Sequence, residues 1–362
     1  MNKVSWWRTT FGQEEVQKLG ESVAEQHISQ GPVTEELESK VAEARGVQYV
    51  AATTSGSSAL MVALVALGIG RGDEVIIPNR SWISTAHAVF FAGAKAVFVD
   101  VLPDVPVIDT SKIREKITPS TKAIMPVHLA GRSCDMDEIR AIADEHDLLV
   151  VEDACQALFS RNSSGYLGAQ SDAGCFSLAV TKLISTGQGG LIATNNRDTW
   201  EALKLVGNNG VADIFTDTWT RSGFNFKYTD LLASFGLVQM TKVSERISHV
   251  TELYSRYASA LAEFSFLRLI PVNVEAGEIP LYVEVLCDDR QPLIDFLEDQ
   301  GIQTRALPPD MHLSDYLEST GEFPNSNVFS ERGLMLPSGP TQPLESVDRV
   351  ADALRLYGKK NA

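Results

Sequence analysis

At 362 residues the chain has room for one large domain and a smaller one, and 44% hydrophobic with 22% charged residues is an ordinary globular composition. A formal net charge of −16 argues against nucleic acid or an anionic membrane as the main partner. No run reaches the ~18–20 apolar residues of a membrane span, and no apolar leader is visible, so the cytoplasm is the expected location. The four cysteines, Cys134, Cys155, Cys175 and Cys287, show no C-x-x-C spacing, so neither a metal site nor a disulfide frame is expected.

Residues 1–30 read as a polar arm with an amphipathic helix over 14–26, and its adjacent Trp6 and Trp7 need a partner or a sheet edge to cover them. Gly31-Pro32 punctuates, and Thr34 is the expected N-cap of a helix with Leu37, Val41 and Ala44 on one face. From Tyr49 the pattern alternates. Strands are predicted at 50–53, 75–77, 96–99, 123–127 and 148–151, and helices at 59–67, from 81 onward, at 111–116 and at 136–146. Such alternation predicts a mostly parallel sheet covered on both faces. Residues 54–58 (Thr-Ser-Gly-Ser-Ser) enter an apolar helix, so Ser57 and Ser58 stand where backbone N–H groups suit a phosphate, or where a plain cap is needed. Trp82, just after a strand, suits either the core or the face of a ligand ring. His128 in His-Leu-Ala-Gly reads as a structural residue.

The chemistry concentrates between 148 and 194. The apolar strand ends in Glu152-Asp153, a second short strand ends at Ser177, Thr181-Lys182 follows, and the glycine turn at 187–190 leads into a strand over 191–194. Carboxylates at the C-terminal ends of parallel strands sit where open α/β sheets bind ligands. Asp, Ser and Lys on neighbouring strand ends form the set that pyridoxal 5'-phosphate (PLP) needs. The lysine bonds the aldehyde, the acid keeps the pyridine nitrogen protonated, and the hydroxyl holds the phosphate. Cys155 and Cys175 read as reduced, buried packing residues.

Helices are predicted at 200–206, 231–240 and 244–264, with a domain boundary near the start of the last, giving 1–245 as a large domain with its arm and 246–362 as a small one. A strand at 282–286, a helix at 291–300, a Pro-rich loop through Leu307 to His312 and a closing helix from 344 complete the chain.

Glu-Asp-Ala-Cys-Gln at 152–156, Cys-Phe-Ser at 175–177, Thr181-Lys182 and Gly-Gln-Gly-Gly at 187–190 resemble the core signature of the DegT-class nucleotide-sugar aminotransferases. Those are PLP enzymes of the aspartate-aminotransferase fold, fold type I. The resemblance implies an α/β large domain with a mostly parallel, seven-stranded mixed sheet covered by helices, plus a smaller C-terminal α/β domain. It implies Lys182 as the catalytic residue. Ser57, Ser58, Trp82, Asp153, Gln156 and Ser177 would surround the cofactor, with Asn225 and Lys227 reaching in from the neighbouring subunit of a homodimer. Gly31 and His312 are the residues it suggests for the substrate, and Arg305, which ends a predicted strand and precedes the Pro-rich loop, is a candidate for a sugar or diphosphate contact. Arg305 serves equally as a surface partner of a nearby acid. The expected donor is L-glutamate and the acceptor a nucleotide-linked keto sugar, UDP-linked by expectation, for amino-sugar and polysaccharide biosynthesis. Lys227 replaces the family's usual arginine and Leu307 its usual aromatic, departures that bear on the substrate. An oxidoreductase would need G-x-G-x-x-G between strand and helix, which the 187–190 turn does not supply. A dehydratase on this scaffold usually has histidine in place of the lysine, and a non-catalytic relative would be expected to lose Lys182 or Asp153. Both are present.

Overall fold

The computed structural model describes residues 3–212, 218–317, 319 and 321–361. An extended arm precedes helix α1 (Gln13–Ala24), and α2 (Pro32–Arg45) leads into strand β1 (Tyr49–Thr53). Next come α3 (Gly56–Ala66), β2 (Glu74–Pro78), α4 (Ser84–Ala92), β3 (Lys95–Val99), β4 (Thr121–Ile124), α5 (Met136–His146) and β5 (Leu149–Asp153). A small hairpin, β6 (Arg161–Asn162) with β7 (Gly165–Tyr166), precedes β8 (Ala173–Ser177), β9 (Gly190–Thr194) and α6 (Arg197–Gly207). The chain continues through α7 (Asp230–Thr241), α8 (Val243–Leu261), β10 (Leu267–Leu269), β11 (Val283–Cys287), α9 (Arg290–Asp299) and β12 (Arg305–Ala306). It closes with α10 (Pro324–Arg332), β13 (Gly333–Leu336) and α11 (Glu345–Asn361).

Seven strands form one sheet in the order β1-β9-β8-β5-β4-β2-β3. β2 pairs in parallel with β3 and β4, β4 with β5, and β5 with β8, whereas β9 is antiparallel to both β8 and β1. The expected mixed, mostly parallel sheet is the one found. Its strands read as continuous apolar runs because both faces are covered. Val75 and Ile77 face a core with Leu60, Leu64 and Phe98, while Ile76 between them faces Ile139 and Ile142 of α5. Beside this, α2 and α7 pack through Leu37, Val41 and Leu237. Each fully buried Leu or Ile of this kind contributes about 1.5–3 kcal/mol.

A smaller antiparallel sheet, β10-β11-β13-β12, carries α8, α9 and α11 through Leu253, Tyr257, Leu293, Leu297, Val350 and Leu354. The N-terminal arm joins this sheet's edge: Val4 N–H donates to Gly301 O (2.9 Å), Gln303 N–H to Val4 O (2.9 Å), and Ser338 N–H to Trp6 O (2.8 Å). Trp6 and Trp7 therefore find the sheet edge they need within their own chain. No helix among the described residues is long and apolar enough to cross a membrane.

Several local expectations are corrected. Thr34 is not the N-cap of α2. Gly31 is, with Pro32 opening the helix, and the missing cap side chain comes from Asp230 at the start of α7. The Asp230 carboxylate accepts from the backbone N–H of Gly31 (2.9 Å), Val33 (3.3 Å) and Thr34 (2.9 Å) and from the Thr34 hydroxyl (2.7 Å). An acid at a helix N-terminus satisfies orphan donors and opposes the positive end of the dipole. The helix expected at 111–116 is two single 3-10 turns, Thr110–Lys112 and Arg114–Lys116. The strand expected to reach 127 stops at Ile124, just short of Pro126, which has no N–H for a ladder. α7 is not a bare apolar surface either: its Ser234 meets Ser22 of α1 at 2.7 Å, and Leu237 lies in the core.

Candidate active site

Side chains alternate along β5, so the acidic pair at its end splits between two environments. Glu152 is fully buried and spent on structure: it accepts from Gly168 N–H (2.6 Å), Gln170 N–H (2.8 Å) and Ser171 Oγ (2.7 Å) and lies 2.9 Å from His128 Nε2. Burial alone would push the His128 ring's pKa down, but Cys134 and Glu152 beside it outweigh this and raise it. Burial likewise favours a neutral Glu152, yet His128 and the donors around it keep its carboxyl below the usual range. His128 is thus a satisfied structural residue, as expected. Asp153 faces the C-terminal edge of the sheet, with Oδ2 accepting from Thr85 Oγ1 (2.7 Å) and Oδ1 from Cys155 N–H (3.2 Å).

The start of α3 comes to the same edge. Ser55 caps the helix, its Oγ accepting from Ser58 N–H at 3.1 Å. The Ser58 hydroxyl is spent inside this turn, donating to Ser55 O (2.8 Å) and accepting from Ser55 N–H (2.9 Å), so Ser58 builds the cradle and does not face into it. Ser57 is exposed at the helix mouth, where the N–H groups of Gly56 and Ser57 have no intrahelical acceptor. Two glycines permit this approach. A Cβ on Gly56 would stand 2.8 Å from Ser177 Cβ and 2.9 Å from Cys155 Sγ, and one on Gly190 would stand 2.1 Å from Ser55 O. Ser177 thus lies against the helix N-terminus, a ready anion site.

Lys182 rides on a loop folded tightly onto β8 and β9, with its N–H on Ala179 O (3.0 Å) and Thr186 N–H on Leu178 O (3.0 Å). Its ammonium lies 5.9 Å from the centroid of the Tyr282 ring, and the Tyr282 hydroxyl donates to Thr181 O (3.0 Å). Trp7 meets Tyr282 edge-on at 5.3 Å and donates Nε1–H to Val180 O (3.0 Å). The lysine loop is therefore clamped from outside by Tyr282 and Trp7. Burial pushes the Cys155 thiol well up, and the Asp153 carboxylate, which accepts from Cys155 N–H, adds to this. All four cysteines are free, and a thiol so raised is an inert packing group.

The remaining sequence-predicted residues are distributed more widely. Trp82, 60% exposed, stands on the turn into α4 whose Thr85 touches Asp153. The Gln156 side-chain oxygen accepts from Ala130 N–H at 2.9 Å, beside the strand end. Arg305 is exposed on β12, its guanidinium 5.3 Å from the Trp6 ring, and Trp6 in turn contacts Trp7. His312 is tied to Asn79, with its N–H on Asn79 Oδ1 (3.0 Å), and its ring lies 4.8 Å from Phe323. Gly31 and Lys227 line a different space, a cavity of about 540 Å³ beside β1 that also meets Glu38, Thr53 and Lys204. Burial pushes the Glu38 carboxyl up to about 7 there, although Ala52 N–H donates to it. Asn225 lies across from Asn208 in the strand-like pairing that leads to this cavity. This cavity contains neither Asp153 nor Lys182. Thr85, Tyr282 and Asp230 carry roles that their predicted helix, strand and loop positions do not announce. Only the Ser81/Thr85 spacing at the start of a helix offered a local signal.

The donor set fits PLP. Asp153 is held as an acceptor with its plane fixed, Ser177 and the α3 N-terminus form an anion cradle, and Lys182 is the amine on the next loop. The chain matches the DegT/DnrJ/EryC1/StrS aminotransferase family over residues 9–355. It is 34% identical to the GDP-perosamine synthase of Caulobacter vibrioides, covering 88% of each chain. It is 30% identical to the spore coat polysaccharide biosynthesis protein SpsC of Bacillus subtilis, covering 95% of this chain and 94% of that one. The solved structure of NtdA from B. subtilis, with its cofactor PMP bound, superposes with a TM-score of 0.89 at 30% identity, covering 95% of this chain and 81% of NtdA. The chain belongs to the DegT/DnrJ/EryC1/StrS aminotransferase family and is a PLP-dependent sugar aminotransferase of fold type I.

Proposed function

We propose that the enzyme moves an amino group from L-glutamate to a nucleotide-linked keto sugar, with Lys182, Asp153 and Ser177 as its central residues. The observation that carries this reading is that Asp153 and Ser177 end the neighbouring strands β5 and β8, with the α3 N-terminus against Ser177 by way of Gly56 and Gly190, while Lys182 lies on the loop that leaves β8 and folds back onto it. PLP, when bound, supplies the electron sink that makes the carbon bearing the amino group acidic. The Lys182 amine takes and returns the proton at that carbon as general base and acid. Asp153 keeps the ring nitrogen protonated. Ser57, Ser177 and the free N–H groups of α3 would hold the phosphate, Trp82 would cover the ring, and Gln156 would serve the ring oxygen. Tyr282 and Trp7 brace the lysine loop from outside.

For the acceptor, the diphosphate of a nucleotide-linked sugar offers two charges by which it can be oriented, whereas a free keto sugar offers few handles. Arg305, an exposed cation that reaches the lysine loop through Trp6 and Trp7, is the residue assigned to grip it. His312, locked to Asn79, shapes the neighbouring wall. The uridine expected from the sequence has no base-reading residue to carry it, and the name of the C. vibrioides relative states a GDP-linked product, so both nucleotides belong in the test. Turnover with UDP- and GDP-linked keto sugars is expected to exceed that with the free sugar at equal concentration. Arg305→Ala is expected to raise KM about tenfold with kcat little changed, the loss of one charge-assisted contact. Equal rates for linked and free sugar, or an unchanged KM in the variant, would oppose this assignment. The amino sugar formed would feed polysaccharide biosynthesis, the role named for the B. subtilis relative SpsC.

A homodimer is part of the same proposal. Trp82, Phe90 and Phe91 on and before α4 are 60, 44 and 64% exposed beside the reactive edge, and a second copy that covers them would bring Asn225 and Lys227 to its partner's cofactor. Sedimentation that finds a fully active monomer at micromolar concentration would contradict it.

A further inference from the structure

We infer that Thr85, oriented by Ser81, is a positioning residue for the Asp153 carboxylate. The inference rests on the reading that Asp153 meets the ring nitrogen of the cofactor. Thr85 is the second residue of α4 and fully buried; its Oγ1 lies 2.7 Å from Asp153 Oδ2 and 2.8 Å from Ser81 Oγ. The direction of these bonds follows from proton count. An ionised carboxylate only accepts, so the single Thr85 proton points to Asp153, and the Thr85 oxygen then accepts the proton of Ser81. A hydroxyl donating to a carboxylate is a charge-assisted bond, stronger than a neutral one. The other Asp153 oxygen takes the Cys155 N–H at a longer 3.2 Å. One donor on each oxygen fixes the carboxylate plane, and the Thr85 bond is the tighter of the two.

The same turn carries Trp82, because Thr85 N–H donates to Trp82 O at 3.1 Å. A single turn at the end of β2 thus sets both the aromatic face and the acid. Removing the hydroxyl leaves a buried carboxylate with one long hydrogen bond and free to rotate. Its hold on a protonated ring nitrogen weakens accordingly.

The test titrates apo-protein with PLP, reading tryptophan fluorescence, and follows the visible absorption of the bound cofactor against pH. The nearly isosteric Thr85→Val variant is expected to bind PLP about tenfold more weakly and to shift the pH profile, Thr85→Ser to stay near the parent, and Ser81→Ala to fall between. In an Asp153→Asn background, Thr85→Val is expected to add nothing, since both changes act through one group. Parent-like affinity and pH profile in Thr85→Val, with Asp153→Asn impaired, would overturn the inference and leave the role of Asp153 standing. An equal loss from Thr85→Val in both backgrounds would also overturn it, by making the hydroxyl merely structural. An unaffected Asp153→Asn would remove the underlying reading and the inference with it.

Discussion

Lys182→Ala is expected to lower turnover by at least about 10³-fold while leaving the fold intact and PLP still bound without a covalent link. The size follows from losing two functions at once, the covalent anchor and the proton carrier, of which general acid–base catalysis alone is worth roughly 10²–10⁴-fold. The fold is spared because the lysine loop is closed by backbone bonds, Lys182 N–H to Ala179 O and Thr186 N–H to Leu178 O, and by the Tyr282 hydroxyl on Thr181 O. None of these uses the amine. The phosphate cradle at Ser57 and Ser177 and the Asp153 carboxylate also persist. Single-turnover kinetics with circular dichroism on the same samples checks both halves. Turnover near the parent rate would mean that a different lysine carries the chemistry.

Arg132→Leu is expected to cost about 3–5 kcal/mol of stability, the largest single effect outside the reactive centre. Arg132 follows the His-Leu-Ala-Gly turn beside β5 and is 2% exposed. Its guanidinium binds the Glu284 carboxylate of β11 at 2.5 Å, Pro271 O at 2.8 Å and Ile270 O at 3.2 Å, bolting the small sheet to the large one. Deleting the cation leaves Glu284, 2% exposed, charged and unpaired, and a buried unpaired charge costs more than the pair itself contributes. Glu284→Gln, which keeps an acceptor for the guanidinium, is expected to cost less than Arg132→Leu. Tyr282 precedes β11 by one residue, so loosening this strand also loosens the aromatic clamp on Lys182. Urea unfolding reads the effect, and a midpoint unchanged in Arg132→Leu would show that the two sheets are held together by apolar packing alone.

What the sequence made legible was local. The apolar runs that end in Asp153 and Ser177 and the glycines at 187–190 are close neighbours along the chain, so their spacing alone put two site residues on adjacent strand ends, while Lys182, expected at a strand end, lies on the loop between β8 and β9. Ser57 and Ser58 were legible as a cap and anion site, but only the hydrogen bonds separate the exposed Ser57 from Ser58, which is consumed within the turn. Contacts between distant segments left no periodic trace. Asp230 caps a helix about two hundred residues earlier in the chain, which is why Thr34 looked like the cap. Tyr282 over Lys182, Arg132 on Glu284 and Arg305 on Trp6 are long-range pairings of the same kind. Trp6 and Trp7 were recognised as needing cover, but which surface supplied it depended on the arm pairing with Gly301 and Ser338.

The most direct test of the central claim is chemical. Borohydride added to the PLP-loaded protein, followed by peptide mass mapping, is expected to find the phosphopyridoxyl group fixed on the peptide containing Lys182, with no such adduct in Lys182→Ala. An adduct on another lysine, or a protein that takes up no PLP at all, would contradict the assignment of Lys182 as the residue that anchors the cofactor.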